Sequence, residues 1–333
     1  MHFEKFEDTI RATKAKIDEK FSRHCDLRLV RSSITPSVIF AVKIYKPATP
    51  GYLVATTHGW HMSIDANVEY ETPQSPYLLV EVDMRGRAYS TGSPDCNGLE
   101  LYDVYDAIRF VLEEYNDYIL RKDLIYFEGG SGGGGNALAI AGKFPDLFSA
   151  VNAMCPISDY YEWYQTDNEL GEFRDEMDVW IAPSPEKNRM AYDARSGISL
   201  LPNLLTRLLI CHGTTDVRVP FSLTELYLNR AKECGKNVQV YAMDGVGTRE
   251  HFGNITDEQL ANMEKLCREN ISSNQMTITL PRQGKFVVAG YLVTKAFTIF
   301  LPSQNDIVTI RYDLDKKEIL TNSALPLQIT WHI

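Results

Sequence analysis

The sequence predicts an α/β fold: a doubly wound, mostly parallel sheet with a cap insertion, followed by a small C-terminal antiparallel β-domain. Three observations carry this reading. Between about residues 27 and 273, short apolar runs alternate with amphipathic segments at the spacing of right-handed βαβ crossovers. Residues 156–206 break that rhythm with aromatic and acidic residues of no clean period, over a length too great for a simple connection. After residue 274 the pattern becomes one of alternating apolar and polar positions between turn-like breaks.

Taken in order, residues 1–25 are predicted as an amphipathic helix, because Phe3, Phe6, Ile10, Ile17 and Phe21 recur at near-helical spacing among charges. Such a helix packs on the main domain or on a second subunit. The main domain spans 26–273. LRLVRS and SVIFAVKIYKP suggest a hairpin, and YLVATTHG and YLLVEVD suggest strands. LELYDVYDAIRFVLEEY is a helix, LIYFEGG a strand, GGNALAIAGKFP a helix and FSAVNAMCP a strand. The 156–206 insertion is expected to cap the carboxyl edge of the sheet. RLLICHG, SLTELYLNRAKECG, NVQVYAMD and ITDEQLANMEKLCREN then read as strand, helix, strand and helix. In 274–333, the runs MTITLP, FTIFLP, IVTIRYD and LQITWHI read as strands. This part would bind glycan, mediate oligomerisation or cover an apolar edge; no residue in it signals chemistry.

A net charge of -10 and a pI near 5.3 argue against a nucleic-acid partner, since phosphate binding needs a basic face. The charged N-terminus and the lack of a run of about 18 apolar residues predict a cytoplasmic protein with no signal peptide and no membrane span. Six cysteines without a CxxC pair predict free thiols and no metal site. No cofactor is expected.

The stretch EGGSGGGGN, residues 128–136, admits three readings. A flexible linker would not sit between a strand and its helix. A phosphate loop is suggested by Gly130, Gly132 and Gly135, but the next strand lacks the acidic residue that a dinucleotide site needs, and no Lys-Ser/Thr follows the last glycine. The third reading is a nucleophile elbow, with Ser131 at the centre of G-x-S-x-G in a strand–turn–helix context. A turn this tight strains the serine and requires small neighbours. Gly134 and Gly135 suggest close helix–sheet packing.

A serine hydroxyl needs a base, and the base needs a carboxylate to hold its tautomer. With the elbow first, the acid and the histidine follow in that order. Of seven histidines, His251 alone lies in a loop after the last core strand, and LLICHGTTDVRVP places Asp216 at the preceding strand end. The oxyanion hole would take one amide from Gly132 and the other from Trp60, in the loop after an early strand. His58 is expected to hold that loop by hydrogen bonds, and His61 faces either the pocket or the surface.

The elbow and its helix, the acid loop and the stretch VDMRGRAYSTGSP together resemble the α/β-hydrolase superfamily, in its prolyl oligopeptidase-like branch, over about residues 50–255. The resemblance implies Ser131 as nucleophile, Asp216 as orienting acid, His251 as base, and Gly132 with Trp60 as oxyanion hole. Two departures stand out. Where that branch has a histidine directly after the last strand's glycine, this chain has Thr248 and His251 comes three residues later, so either the loop is longer or the triad is broken. A tyrosine often follows the nucleophile in that branch, and here it is Gly132. Only about fifty residues precede the HGW loop, too few for a propeller, and no double-glutamate clamp is evident. Tyr160, Tyr161, Trp163, Tyr164 and Trp180 of the insertion either line an acyl or sugar pocket or simply cover the sheet edge. The expected activity is hydrolysis of carboxylic esters, of a small molecule or an acylated glycan, with a small exopeptidase or amidase and a catalytically silent binding protein as the alternatives.

Overall fold

The computed structural model of the protein describes residues 16–167 and 173–332. Its main sheet has nine strands: β1 (Lys20–Phe21), β2 (Cys25–Arg31), β3 (Ile39–Tyr45), β4 (Leu53–Thr57), β5 (Leu78–Val82), β6 (Ile125–Gly130), β7 (Ala150–Met154), β8 (Arg207–Gly213) and β9 (Val238–Met243), in the order β1-β2-β3-β5-β4-β6-β7-β8-β9. The first three strands join antiparallel, and all pairs from β5 to β9 are parallel. Successive residues Leu208, Leu209, Ile210 and Cys211 of β8 are all buried, as expected of a parallel strand covered on both faces.

The register decides where chemistry can occur. Thr57 pairs with Gly129, Gly130 with Met154, Met154 with Cys211, and Gly213 with Met243. The carboxyl ends of β4, β6, β8 and β9 therefore share one edge, and the loops leaving them converge, as ligand-binding loops do in open parallel sheets.

Helices α1 (Glu100–Glu114) and α2 (Gly132–Lys143) follow β5 and β6, and every residue of α2 is buried. The cap consists of α3 (Tyr160–Thr166), α4 (Arg174–Trp180), α5 (Arg189–Arg195) and α6 (Gly197–Leu200). Helix α7 (Phe221–Glu233) joins β8 to β9, and α8 (Asp257–Ser273) opens with a capping box between Thr256 and Gln259.

A second, six-stranded antiparallel sheet contains β10 (Gln283–Ala289), β11 (Tyr291–Val293), β12 (Phe297–Phe300), β13 (Ile307–Asp313), β14 (Glu318–Thr321) and β15 (Gln328–Trp331), in the order β14-β13-β10-β11-β12-β15. Ala289, Tyr291 and Val293 belong to the same apolar core as the main sheet. Tyr291 also donates a 3.0 Å hydrogen bond to the Gly98 carbonyl.

Two expectations are corrected. Residues 16–25 are not helical: Lys20–Phe21 pairs with Leu27 and Asp26 as an edge strand, with Phe21 exposed under the Arg28 guanidinium. Residues 1–15 of the predicted helix lie outside the described residues. MTITLP forms no strand; the run QGKFVVA is β10 instead, at the centre of the sheet between β13 and β11. From Phe286 to Ala289, β10 packs on both the C-terminal and the main cores, so it lacks the alternation of an edge strand, and MTITLP has the alternation without a ladder partner. Among the described residues, no helix is long and apolar enough to cross a membrane.

Candidate active site

Ser131 sits at the turn between β6 and α2 with φ 57° and ψ -118°, a left-handed conformation that costs a non-glycine residue strain and lifts its hydroxyl above the sheet edge. The turn is fastened below by Ser131 N–H to the Met154 carbonyl at 2.9 Å, and Gly135 N–H returns to the Ser131 carbonyl at 3.0 Å. The glycines that follow are needed for close approach. A Cβ at Gly134 would stand 2.6 Å from the Met154 carbonyl oxygen, and one at Gly135 would stand 2.5 Å from the Tyr160 hydroxyl. The first contact is helix on sheet, as expected; the second is helix on cap.

His251 Nε2 lies 2.8 Å from Ser131 Oγ, and His251 Nδ1 lies 2.6 Å from Asp216 Oδ2. That pattern assigns the proton to Nδ1 and leaves Nε2 to accept from the serine hydroxyl, the tautomer a general base requires. The displaced histidine reaches its place because the longer loop folds back on itself. Gly247 N–H donates to the Gly253 carbonyl at 2.7 Å, Thr248 N–H to Glu250 O at 2.9 Å, and Val217 N–H to Thr248 O at 3.2 Å. The extra residues thus form a closed turn that delivers His251.

Asp216 is buried, and its other oxygen, Oδ1, accepts the amides of Arg218 and Val219 at 2.9 and 3.0 Å. Burial pushes its carboxyl up, but hydrogen bonds from His212, His251 and Val219 outweigh burial and hold it below the usual carboxylate range. His212 is itself fixed between Thr224 Oγ1 and the Val219 carbonyl, each at 2.8 Å.

The loop after β4 brings Trp60 against the elbow: a Cβ at Gly132 would stand 2.6 Å from the Trp60 amide nitrogen. Residue 132 therefore has no room for a side chain unless the Trp60 backbone moves. Among the described residues neither the Trp60 nor the Gly132 amide has a protein acceptor. His58 holds this loop as expected, with Nδ1–H to the Gly59 carbonyl at 2.8 Å and Nε2 accepting Met84 N–H at 3.1 Å. Burial, reinforced by Arg87, pushes its imidazole down to about 3, so it is neutral and cannot serve as a base near neutral pH.

The aromatic residues of the cap divide. Tyr160, Trp163 and Trp180 are buried in one cluster with Trp60, whose ring lies 5.0 Å from Trp163 and 4.8 Å from Trp180. They are the core of the cap rather than open stacking faces. Tyr161 carries the Arg189 guanidinium at 3.8 Å, and Tyr164 packs edge-on against Tyr192 at 5.8 Å, so both are engaged within the cap. His61 is nearly buried and faces Glu176 of α4, whose Oε2 lies 2.9 Å from His61 Nδ1 and accepts Trp60 Nε1–H at 2.6 Å. Trp163 Nε1–H reaches the Arg218 carbonyl at 2.8 Å. The cap is therefore bonded to both the oxyanion loop and the acid loop.

Sequence reasoning missed Glu176, because nothing in its local pattern points to a partner 116 residues away. It also missed Cys155, whose Sγ lies with the donor atoms of Asp216 and His251 within 4.8 Å of one another. A metal ion there would have to dismantle the histidine's two hydrogen bonds. All six cysteines are free thiols. A cavity of about 570 Å³ lies far from Ser131, between residues 204–207 and 276–281.

A sequence profile described as the prolyl oligopeptidase family matches residues 74–264, more than half of the chain. Solved structures of similar fold include a puromycin hydrolase (15% identity, TM-score 0.61, covering 78% of this chain and 40% of that one). They also include the acylaminoacyl peptidase of Pyrococcus horikoshii (18%, 0.61, 78% and 43%). A third is the dipeptidyl peptidase 4 of Porphyromonas gingivalis (19%, 0.57, 74% and 36%). The chain thus spans well under half the length of these proteins, and the likeness at such identities is one of fold.

Proposed function

The chain belongs to the prolyl oligopeptidase family, and from that membership we propose that it is a serine hydrolase that cleaves acyl bonds through an acyl-enzyme on Ser131. The observation that carries the reading is the hydrogen-bonded chain from Asp216 through His251 to Ser131, at 2.6 and 2.8 Å. Ser131 Oγ attacks the carbonyl while His251 Nε2 takes its proton, and Asp216 stabilises the resulting imidazolium. The tetrahedral oxyanion is received by the amides of Gly132 and Trp60. His251 then protonates the leaving group, and water, activated by the same histidine, releases the acid and restores Ser131.

The scissile bond in this proposal is an amide of a short, peptide-like substrate at least as readily as an ester. The similar solved structures carry peptidase names, and the burial of Tyr160, Trp163 and Trp180 withdraws the stacking faces on which a carbohydrate ester rested. Ester hydrolysis uses the same residues. The test combines a fluorophosphonate probe with a panel of aminoacyl nitroanilides and nitrophenyl acetate. Labelling at Ser131, and turnover of an anilide at a rate comparable with the ester, are expected. Failure of the folded protein to label at Ser131 would sink the proposal and leave a silent member of the fold.

A further inference from the structure

Two arginines two residues apart in DMRGRAYS are treated in opposite ways. Arg85 makes a bidentate pair with Asp103, at 2.6 and 2.7 Å. Arg87 is 4% exposed, yet its Nε and Nη1 have no hydrogen-bond partner in the protein. Among the described residues no carboxylate comes within ion-pair distance of it; Glu100, Asp83 and Asp95 lie further off. One face of its guanidinium is covered by the Trp180 ring of the cap at 4.1 Å. Arg87 borders a cavity of about 10 Å³, room for about one water molecule, whose other walls include Trp60, Gly132 and Glu100. Those walls include both residues whose amides are proposed to receive the oxyanion.

A buried charge without a partner is expensive to keep, and proteins usually pair it or lose it. Here the charge borders the cavity that Trp60 and Gly132 also line, with the Trp180 ring over one face. A fixed cation in a water-poor site stabilises the negative charge of acyl transfer without reorganising when it forms.

We propose that Arg87 is the buried cation of the oxyanion site, sharing a cavity wall with Gly132 and Trp60 and stabilising the tetrahedral intermediate by its field. The proposal rests on Ser131 acting as the nucleophile. Glu100 shares the cavity wall, and burial, with Asp95 beside it, pushes its carboxyl up to about 7, so that near neutral pH it cancels the arginine only in part.

Arg87→Met keeps the length and apolar stem of the side chain and removes the charge. It should lower kcat about ten- to thirty-fold, the order that a unit charge one residue layer away supplies at an effective dielectric near 20. KM should stay within about two-fold, and the melting temperature should not fall, because an unpaired buried charge has been removed. Arg87→Lys should recover most of kcat. A fall in melting temperature matching the loss of activity would make Arg87 structural and overturn the proposal. So would a rise in KM with kcat unchanged, which would make it a substrate grip, or an unchanged kcat. If the unmutated protein neither labels nor turns over substrate, the hydrolase reading has failed instead.

Discussion

On the Asp216 side of the crevice the polar groups are paired: both carboxylate oxygens, both nitrogens of His212 and both nitrogens of His251 have partners within 3.0 Å. On the Trp60 side, two amides and the Nε and Nη1 of a buried guanidinium have none among the described residues. The paired side fixes geometry, because a saturated network has one arrangement. In the proposed reaction, the unpaired side leaves its donors free in the resting protein for a charge that exists only during acyl transfer. Interactions stronger in the transition state than in the ground state are the ones that raise kcat.

Breaking the paired side should have the largest effect. Ser131→Ala and His251→Ala should abolish turnover, and Asp216→Asn, which offers His251 the wrong tautomer, should cost about 10⁴-fold in kcat. The drop in kcat for the best substrate of the panel, in protein shown folded by circular dichroism, is the measure. Loss of only a few-fold for Asp216→Asn would mean that its hydrogen bonds do not serve the reaction.

Gly132→Ala attacks the other side without touching a charge. The new methyl meets the Trp60 amide and Cα, at 2.6 and 2.7 Å before relaxation, and must push the oxyanion loop away. Misplacing one donor should cost about 100-fold in kcat, with His251 undisturbed and fluorophosphonate labelling slowed in proportion. Full activity in this variant would show that Trp60 supplies no donor.

Trp163→Ala tests the bond between the two sides. It empties the centre of the cap cluster and removes the hydrogen bond to Arg218 O. A loss of about 3–5 kcal/mol in denaturant unfolding is expected from the cavity, with a smaller fall in kcat. A change in activity with no change in stability would place Trp163 in substrate binding after all.

The smallest effects are in the pH dependence of stability, where the two sides differ in sign. Asp216 has its folded carboxyl below the unfolded value, so its contribution is present above the usual carboxylate range and is lost as pH falls through and below it. Glu100 has its folded carboxyl raised from about 4.5 to about 7, so the folded state holds the extra proton in that window and stability declines as pH rises through it. Glu100→Gln should flatten the decline between about pH 4.5 and 7 in a thermal-melt series; an unchanged slope would show that another group is responsible.

Much of this was legible in the sequence. G-x-S-x-G after LIYFE and before NALAIAGKF placed Ser131, the motif HGTTD placed Asp216, and elimination among seven histidines left His251. The three side chains meet in the fold because an elbow and a strand end are local structures, dictated by the few residues on either side. The N-terminal helix failed over residues 16–25 for the opposite reason: Lys20–Phe21 follows the strand it pairs with, β2, rather than its own apolar spacing. The MTITLP strand failed likewise, since a ladder needs a partner that alternation cannot supply.

What the sequence determined by itself is therefore the order of strands and helices in the main domain outside the cap, the elbow, and the choice of Ser131, Asp216 and His251 as partners, all read from contiguous patterns. Tertiary structure alone decided that the loop carrying His251 closes to within 2.8 Å of Ser131, and that Trp60 is bonded to Glu176 across 116 residues. It alone decided that Arg85 is paired while Arg87 is not. Those outcomes depend on which surfaces meet when the cap packs on the sheet edge, and local periodicity contains no term for that encounter.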